Sequence, residues 1–225
     1  MTRVLVLRPE PGASATVKRA RKKALDAVAI PLFEVEAISW DAPEASGFDG
    51  LLLTSANAVR CGGEQLKQLC GLRVYAVGEA TAQAARDAGF DVASAGDAGV
   101  MRLLASIEPE MKLLHLAGEH RTPASGARQH IEYITVYRSK PLEHVDLGES
   151  EGSVAIIHSP RAGRRFAELV HQAHLDRSKI TIAAISRDAA EAVGPRWARV
   201  ESAEAPNDDA LLALAERLCN TVSAT

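Results

Sequence analysis

The chain has 225 residues, 47% of them hydrophobic and 24% charged, a composition typical of folded globular proteins and unlike that of disordered chains. Its net charge of −3 argues against a protein that binds nucleic acid or a membrane surface, since both usually require an excess of basic residues. No run approaches the roughly twenty apolar residues of a membrane span. The first residues follow the pattern of a strand and not that of a signal peptide, and the three cysteines are scattered along the chain. We therefore expect a cytoplasmic protein with reduced thiols.

Short apolar runs alternate along the chain with amphipathic stretches. This alternation predicts an α/β fold in which parallel strands are covered by helices on both faces. The predicted strands are residues 4–7, 27–30, 50–54, 73–77, 112–116, 154–158 and 180–185. The predicted helices are residues 13–26, 56–69, 80–88, 100–107, 161–173, 188–193 and 208–219.

Two parts of the chain repeat one plan. Residues 52–58 resemble residues 156–162, because each segment leaves a strand through a serine and then begins a helix. Residues 76–82 resemble residues 184–190 as well, and an offset of 108 residues separates Gly78 from Ser186. A repeat of this length indicates two similar α/β domains and not a solenoid of many short units.

The two copies are not laid end to end, which predicts that one domain is inserted into the other. We predict a discontinuous first domain of residues 1–30 and 141–225 and an inserted domain of residues 39–130. The crossing segments, 31–38 and 131–140, alternate in polarity and are rich in β-branched and aromatic residues, so we expect them to pair as a two-stranded β-ladder. Such a narrow connection would act as a hinge, with a ligand held between the domains.

Strand-to-helix turns are the main candidate binding features. Each presents backbone N–H groups at a helix N-terminus, where donors and the helix dipole favour carboxylates. The serines and threonines in them could instead serve only as N-caps, although capping does not exclude ligand contact at the same turn. The turns lie at residues 8–13, 54–58, 78–81, 159–162 and 186–189.

Fragments along nearly the whole chain resemble, in their order and spacing, the uroporphyrinogen-III synthase family. They are LVLRP (5–9), PLFE (31–34), DGLLLTSANAV (49–59), VYAVGEATA (74–82), LHLAG (114–118), ITVYR (134–138), HSPRA (158–162) and SAEAPNDDAL (202–211). The resemblance implies two α/β domains, one inserted into the other and joined by a β-ladder. That arrangement agrees with the repeat, which was inferred from the residues alone.

The resemblance also implies an activity. The family closes hydroxymethylbilane, a linear tetrapyrrole with eight carboxylates, into uroporphyrinogen III, with loss of water and inversion of the last ring. The chain would then be a cyclising hydro-lyase of haem biosynthesis, acting as a monomer without a cofactor. No GxSxG, Walker A, GxGxxG or HExxH motif is present. A non-catalytic two-domain protein that binds an acidic small molecule remains the alternative.

The resemblance and the turns together predict the site residues. Tyr137 matches the tyrosine of the family's crossing strand and is implied to be a general acid that helps the hydroxyl leave, although a strand tyrosine can also simply pack. The Arg8 guanidinium is expected to bind a carboxylate, with a surface ion pair as the alternative. The other predicted substrate-binding residues are Thr54, Ser55, Asn57, Ala58, Gly78, Thr81, Ser159, Pro160, Arg161, Ser186 and Arg187.

Two histidine pairs invite a metal site, namely His171 with His174 and His115 with His120. Neither pair has a carboxylate or cysteine at ligand spacing, so no metal site is predicted. Within residues 119–129 a proline and a glycine weaken any helix. We therefore expect the inserted domain to lack one helix, which would leave an edge open.

Overall fold

The computed structural model describes residues 2–96, 99–121, 123–148 and 150–222. It divides the chain into two compact units, each built around one sheet. Unit 1 comprises Met1–Glu34 and Pro141–Thr225, and unit 2 comprises Val35–Lys140. The second unit is therefore inserted, in chain order, into the first, and the α/β fold class is the predicted one.

The elements alternate between strand and helix over most of the chain. The strands are β1 (Arg3–Val6), β2 (Asp26–Ala29), β3 (Phe33–Ala37), β4 (Gly50–Leu53), β5 (Val74–Val77), β6 (Val92–Gly96), β7 (Lys112–Gly118), β8 (His130–Pro141), β9 (Val154–Ile157), β10 (Thr181–Ala184) and β11 (Arg199–Ser202). The α-helices are α1 (Gly12–Lys22), α2 (Ala56–Cys61), α3 (Glu79–Asp87), α4 (Val100–Ala105), α5 (Pro160–Gln172), α6 (Arg187–Ala192) and α7 (Asp208–Val222). None of the helices in the described ranges combines the length and apolar character that crossing a membrane requires.

The sheet of unit 1 has the strand order β11, β10, β9, β1, β2, with parallel pairing throughout. Alternate residues of its central strands enter two different cores. Leu5 and Ile157 pack with α5 and α6, whereas Val6 and Ile156 pack with α1 and α7. Burial of both faces explains why these strands are continuous apolar runs in the sequence.

The sheet of unit 2 has the order β3, β8, β7, β4, β5, β6. The four pairings from β8 to β6 are parallel, with a register shift where Gly118 of β7 faces Tyr137 of β8. At the other edge β3 pairs with β8, so the predicted pairing of the crossing segments is present. This ladder continues into the sheet of unit 2, because β8 also pairs with β7.

The strand orders confirm the repeat. The series β6, β5, β4, β7, β8 in unit 2 corresponds to β11, β10, β9, β1, β2 in unit 1. Helix α1 connects β1 to β2, whereas the described residues between β7 and β8 (119–121 and 123–129) contain no helix, as expected. The edge that this loss was expected to open is not free, because β8 pairs there with β3.

Two predicted helices end at least four residues earlier than expected. The helix predicted over residues 13–26 stops at Lys22, because Ala24 turns the chain with a φ of 59° and Asp26 already belongs to β2. The helix predicted over residues 56–69 stops at Cys61, and a 3₁₀ segment follows it. Gly63, the first residue of the 3₁₀ segment, has a φ of 65°, and a left-handed residue cannot continue an α-helix.

Strands β6 and β11 were not predicted. Both are the outermost strands of their sheets, and neither has the continuous apolar run that marks a strand buried on both faces. The sequence of β6, VASAG, is also rich in small residues with weak strand preference. Their pairing with β5 and β10 depends on contacts that are distant in sequence, and local residue type does not reveal it.

Packing between α5 and the segment that joins α6 to β11 gives a test of the core of unit 1. Phe166 is fully buried and stacks on Trp197, with ring centroids 5.5 Å apart. We expect Phe166→Ala to lower the free energy of unfolding by about 3–5 kcal/mol, because it removes a buried ring and leaves a cavity. Urea denaturation followed by tryptophan fluorescence measures this, with Val200→Ala at an exposed position of the same unit as the control. A loss below about 1 kcal/mol for Phe166→Ala would contradict this packing.

Candidate functional site

The predicted turns collect at one edge of each sheet. In unit 2, residues 54–58 and 78–81 follow the adjacent strands β4 and β5. In unit 1, residues 8–13, 159–162 and 186–189 follow the adjacent strands β1, β9 and β10. Because these strands are parallel, the turns within one unit lie at the same carboxyl-terminal edge, which is where open α/β sheets bind ligands.

The turn after β4 is a capped helix start. The Ser55 hydroxyl accepts the N–H of Asn57 (3.2 Å), and the Ser55 carbonyl accepts the N–H of Ala58 (3.1 Å). The Asn57 amide oxygen accepts a hydrogen bond from Arg60 (3.3 Å). Ala58 is buried, and its N–H is already used within the turn.

The turn after β5 depends on the backbone of Gly78. This residue has a φ of 82° and a ψ of 144°, and its N–H donates to the carbonyl of Gly96 (2.6 Å). A side chain at position 78 would meet no atom within 4 Å, so the requirement for glycine is conformational and not steric. Thr81, in the first turn of α3, is buried and donates its N–H to the Gly78 carbonyl (3.0 Å).

Tyr137 and Ser55 are brought together in unit 2. The Tyr137 ring lies against Gly118, where an added Cβ would fall 2.7–2.9 Å from the ring and its hydroxyl. Burial raises the pKa of the Tyr137 phenol above its ordinary value of 10, and a hydrogen bond with Ser55 offsets this only in part. The phenol is therefore protonated at neutral pH and is able to donate its proton without further tuning.

Thr54 pairs with a histidine that the sequence had suggested only as half of a metal pair. The Thr54 hydroxyl lies 3.0 Å from Nε2 of His115, which is 3% exposed and tilts against the ring of Tyr133. Burial and, to a lesser extent, the positive charge of Arg121 lower the pKa of His115 to about 4, so the imidazole is neutral at pH 7. Its Nδ1 is buried without a hydrogen-bond partner among the described residues.

The other member of that pair, His120, is exposed, and its Nε2 lies 3.7 Å from a carboxylate oxygen of Glu119. His171 and His174 lie at the end of α5, where His174 has a φ of 54° and its N–H donates to the His171 carbonyl. Over the described ranges, no group of three or more His, Cys, Asp or Glu side chains is placed to hold a metal ion.

In unit 1, Ser159 and Ser186 cap helices α5 and α6. The Ser159 hydroxyl accepts the N–H of Ala162 (3.2 Å), and Pro160 occupies the first turn, where it needs no hydrogen-bond acceptor. The Ser186 hydroxyl accepts an N–H in the same way (3.3 Å). Two of the predicted arginines lie in these turns. Arg161 places its guanidinium 4.5 Å from the centre of the Phe33 ring, whereas Arg187 is exposed.

Arg8 belongs to a charged cluster around Asp208. One guanidinium nitrogen of Arg8 lies 3.2 Å from Oδ1 of Asp208, so the ion pair considered as its alternative role is present. The same carboxylate contacts Nε2 of His158 (2.9 Å), the hydroxyl of Thr16 (2.6 Å) and the guanidinium of Arg19. The Asp208 side chain is 15% exposed.

Electrostatics fix the charge states in this cluster. Burial alone would raise the pKa of Asp208, but hydrogen bonds from His158, Thr16 and Arg19 hold it well below its ordinary range. Burial lowers the pKa of His158, and the hydrogen bond to Asp208 opposes this only in part. At neutral pH an ionised Asp208 therefore accepts from a neutral His158, whose proton must be on Nε2 because a carboxylate only accepts.

Sequence reasoning did not identify Asp208, His158, Thr16 or His115 as site residues. Asp208 is 200 residues from Arg8 and 192 from Thr16 in the chain, so no local pattern joins them. The available signal was positional, since His158 directly follows β9 and Asp208 begins α7.

Comparison with known protein families identifies the family of this chain. The family model described as uroporphyrinogen-III synthase HemD matches residues 14–213, which is most of the chain. The chain belongs to the uroporphyrinogen-III synthase family. The matched segment includes every predicted site residue except Arg8.

Individual relatives agree with this membership. A uroporphyrinogen-III synthase of Chlorobaculum parvum is 30% identical over 119 residues, a match that spans 48% of this chain and only 48% of that relative. The crystal structure of uroporphyrinogen-III synthetase from Helicobacter pylori is 22% identical, with a TM-score of 0.62, and the match covers 96% of this chain and 99% of that one. A mutant uroporphyrinogen III synthase from Thermus thermophilus gives 18% identity and a TM-score of 0.55, with 98% and 100% covered. At these identities the two structures establish the shared fold.

The buried imidazole of His115 predicts a pH-dependent stability. Its pKa is about 4 in the folded protein against an ordinary value of 6.5, so between these values the unfolded chain binds more protons. The free energy of unfolding should therefore fall as the pH is lowered from 6.5 to 4, by roughly 3 kcal/mol from this group. In His115→Gln that part of the slope should disappear in urea denaturation at a series of pH values. The control is His130→Gln, at an exposed histidine, and equal slopes in the two variants would contradict the assignment.

Proposed function

We propose that the protein is an enzyme of tetrapyrrole synthesis, a uroporphyrinogen-III synthase that converts hydroxymethylbilane to uroporphyrinogen III and water. The observation that carries the proposal is the family match over residues 14–213. The protonated, half-buried phenol of Tyr137 beside Ser55 supports it, because the reaction begins with departure of a hydroxyl group that must leave as water.

In the proposed reaction Tyr137 donates its proton to the terminal hydroxyl of the substrate as the carbon–oxygen bond breaks. Electrons from the adjacent pyrrole nitrogen follow, which gives water and an electrophilic azafulvene. The substituted carbon of the last ring attacks this centre, and the spiro intermediate fragments and recloses with that ring inverted. The proton released when the final pyrrole regains its aromaticity replaces the one that Tyr137 supplied.

The substrate carries eight carboxylates, whereas the protein has a net charge of −3, so we propose that binding depends on local donors. The candidates are the backbone N–H groups of the strand-to-helix turns, with Arg8 and Arg161 in unit 1. Hydrogen bonds to a charged partner each contribute about 1.5–3 kcal/mol, so a few of them give useful affinity without a basic surface. The hydroxyls of Ser55, Ser159 and Ser186 fix the shape of their turns. In the proposal these three hydroxyls and that of Thr54 contact substrate there.

We also propose that the enzyme acts as a monomer in the cytoplasm and needs no metal, nucleotide or redox cofactor. Cys61, Cys70 and Cys219 are all free thiols, as expected in a reducing compartment.

Dialysis against a chelator should leave the rate unchanged. Restoration of lost activity by an added metal ion would contradict this part of the proposal.

The isomer of the product tests the function directly. Freshly prepared hydroxymethylbilane closes without an enzyme to the uninverted type I isomer, so the protein should shift the product to type III. Chromatography of the oxidised products measures the ratio, with a heat-denatured sample as control. A product that remains type I while the tetrapyrrole binds would instead identify a non-catalytic binding protein.

Substitution of Tyr137 tests the assignment of the general acid. We expect Tyr137→Phe to lower the single-turnover rate by about 10²-fold, the low end for loss of one general acid, while the product stays type III. Tyr75→Phe is the matched control, because within the described ranges the hydrogen bond of the Tyr75 hydroxyl goes to the sulfur of Met111 (3.9 Å) and not to a residue of the candidate site. Circular dichroism checks the fold of both variants.

A wild-type rate in Tyr137→Phe would make Tyr137 a packing residue against Gly118. Complete loss of type III product would mean that the side chain does more than donate one proton.

A further inference from the structure

The carboxylate of Asp208 joins three elements of unit 1 at the carboxyl-terminal edge of its sheet. Arg8 begins the turn that follows β1, His158 follows β9, and Thr16 and Arg19 lie on α1. Oδ1 accepts from Arg8 and His158, and Oδ2 accepts from Thr16 and Arg19. Four donors therefore converge on one side chain, and β1 and β9 are neighbouring strands of the sheet.

Helix geometry favours a negative charge at this point. Asp208 is the first residue of α7, where the partial positive charge of the helix end stabilises a carboxylate. In the repeat, the corresponding position in unit 2 is Val100, the first residue of α4. The arrangement around Asp208 therefore belongs to unit 1 alone and is not a general requirement of this fold.

We propose that Asp208 is a positioning residue, whose carboxylate holds the Arg8 guanidinium and the turn after His158 in the arrangement that binds a carboxylate of the tetrapyrrole. The inference rests on the proposed function and adds a residue to it. Asp208 does not itself contact substrate in this scheme. It acts through Arg8, to which it bonds at 3.2 Å, and through His158, which immediately precedes the cap residue Ser159.

A purely electrostatic role and a positioning role for Asp208 predict opposite effects on substrate binding when its charge is removed. If only the local potential mattered, Asp208→Asn would remove a negative charge beside Arg8 and Arg19 and would tighten binding of a polyanion. If Asp208 positions these groups, the same variant should bind more weakly. An amide offers one acceptor oxygen where the carboxylate offers two, so at least one of the four donors loses its partner.

The test compares Asp208→Asn with Asp209→Asn, which makes the same charge change in the same helical turn at an exposed side chain. We expect KM for hydroxymethylbilane to rise about tenfold or more in Asp208→Asn, the scale of one lost charge-assisted hydrogen bond, with kcat within threefold. In Asp209→Asn, both constants should stay within twofold. A KM that is unchanged or lower in Asp208→Asn would overturn the inference.

A spectroscopic readout separates positioning from general damage to the fold. Nitrogen-15 NMR should show His158 neutral with its proton on Nε2 in the wild-type protein and a changed tautomer balance in Asp208→Asn. An unchanged His158 signal would contradict the inference. If Asp208→Asn does not fold, Thr16→Val removes one donor to Oδ2 and leaves the charge in place. KM should then rise about threefold, and an unchanged KM in Thr16→Val would count equally against positioning.

Binding of uroporphyrin III, the stable oxidised octacarboxylate, keeps this test distinct from that of the proposed function. If the wild-type protein binds it but forms no type III product, the enzymatic proposal fails. The change in Kd between Asp208→Asn and wild type then still decides the role of Asp208. If the wild-type protein does not bind the octacarboxylate and forms no type III product, both proposals fall.

Discussion

Each unit contains a sheet whose central strands run parallel, and burial of both faces of this sheet is the constraint on which the rest of the structure depends. The central strands, β1 and β9 in unit 1 and β4 and β7 in unit 2, alternate their side chains between two cores. Covering both faces requires helices on each side, and each connection from strand to helix must then pass over the carboxyl-terminal edge. The turns with candidate binding groups are therefore a direct consequence of how the cores are covered.

Polar side chains at the carboxyl-terminal edge of the sheet have different partners in the two units. In unit 2, Thr54 pairs with a neutral His115, and Tyr137 keeps its proton beside Ser55. In unit 1, an ionised Asp208 gathers two arginines and a neutral His158. Burial lowers the pKa of both imidazoles, so neither adds charge near pH 7. Around the two imidazoles the positive charge is therefore carried by the guanidinium groups of Arg121 in unit 2 and of Arg8 and Arg19 in unit 1.

Local sequence was sufficient for much of the fold, because the central strands are continuous apolar runs and the repeat at residues 78 and 186 reveals the plan of each unit. It failed where long-range pairing decides the outcome, as in the edge strands β6 and β11. In the candidate site, too, local sequence revealed the local features and not the long-range contacts. Ser55, Ser159 and Ser186 could be placed at helix starts from local pattern, whereas the partners of Arg8 could not, since Asp208 lies 200 residues away. Which turn residues contact substrate stays a prediction.

The pairing of β3 with β8 has a consequence for the stability of unit 1. The two segments of unit 1 are separated in the chain by about a hundred residues, whose two ends are held together where Ile38 donates its N–H to Val136 (2.9 Å). While unit 2 is folded, it therefore behaves as a very short loop. If unit 2 unfolds, unit 1 must close a long flexible loop, at an entropic cost of roughly 2–3 kcal/mol. The folding of one unit is thus thermodynamically linked to that of the other through chain connectivity alone.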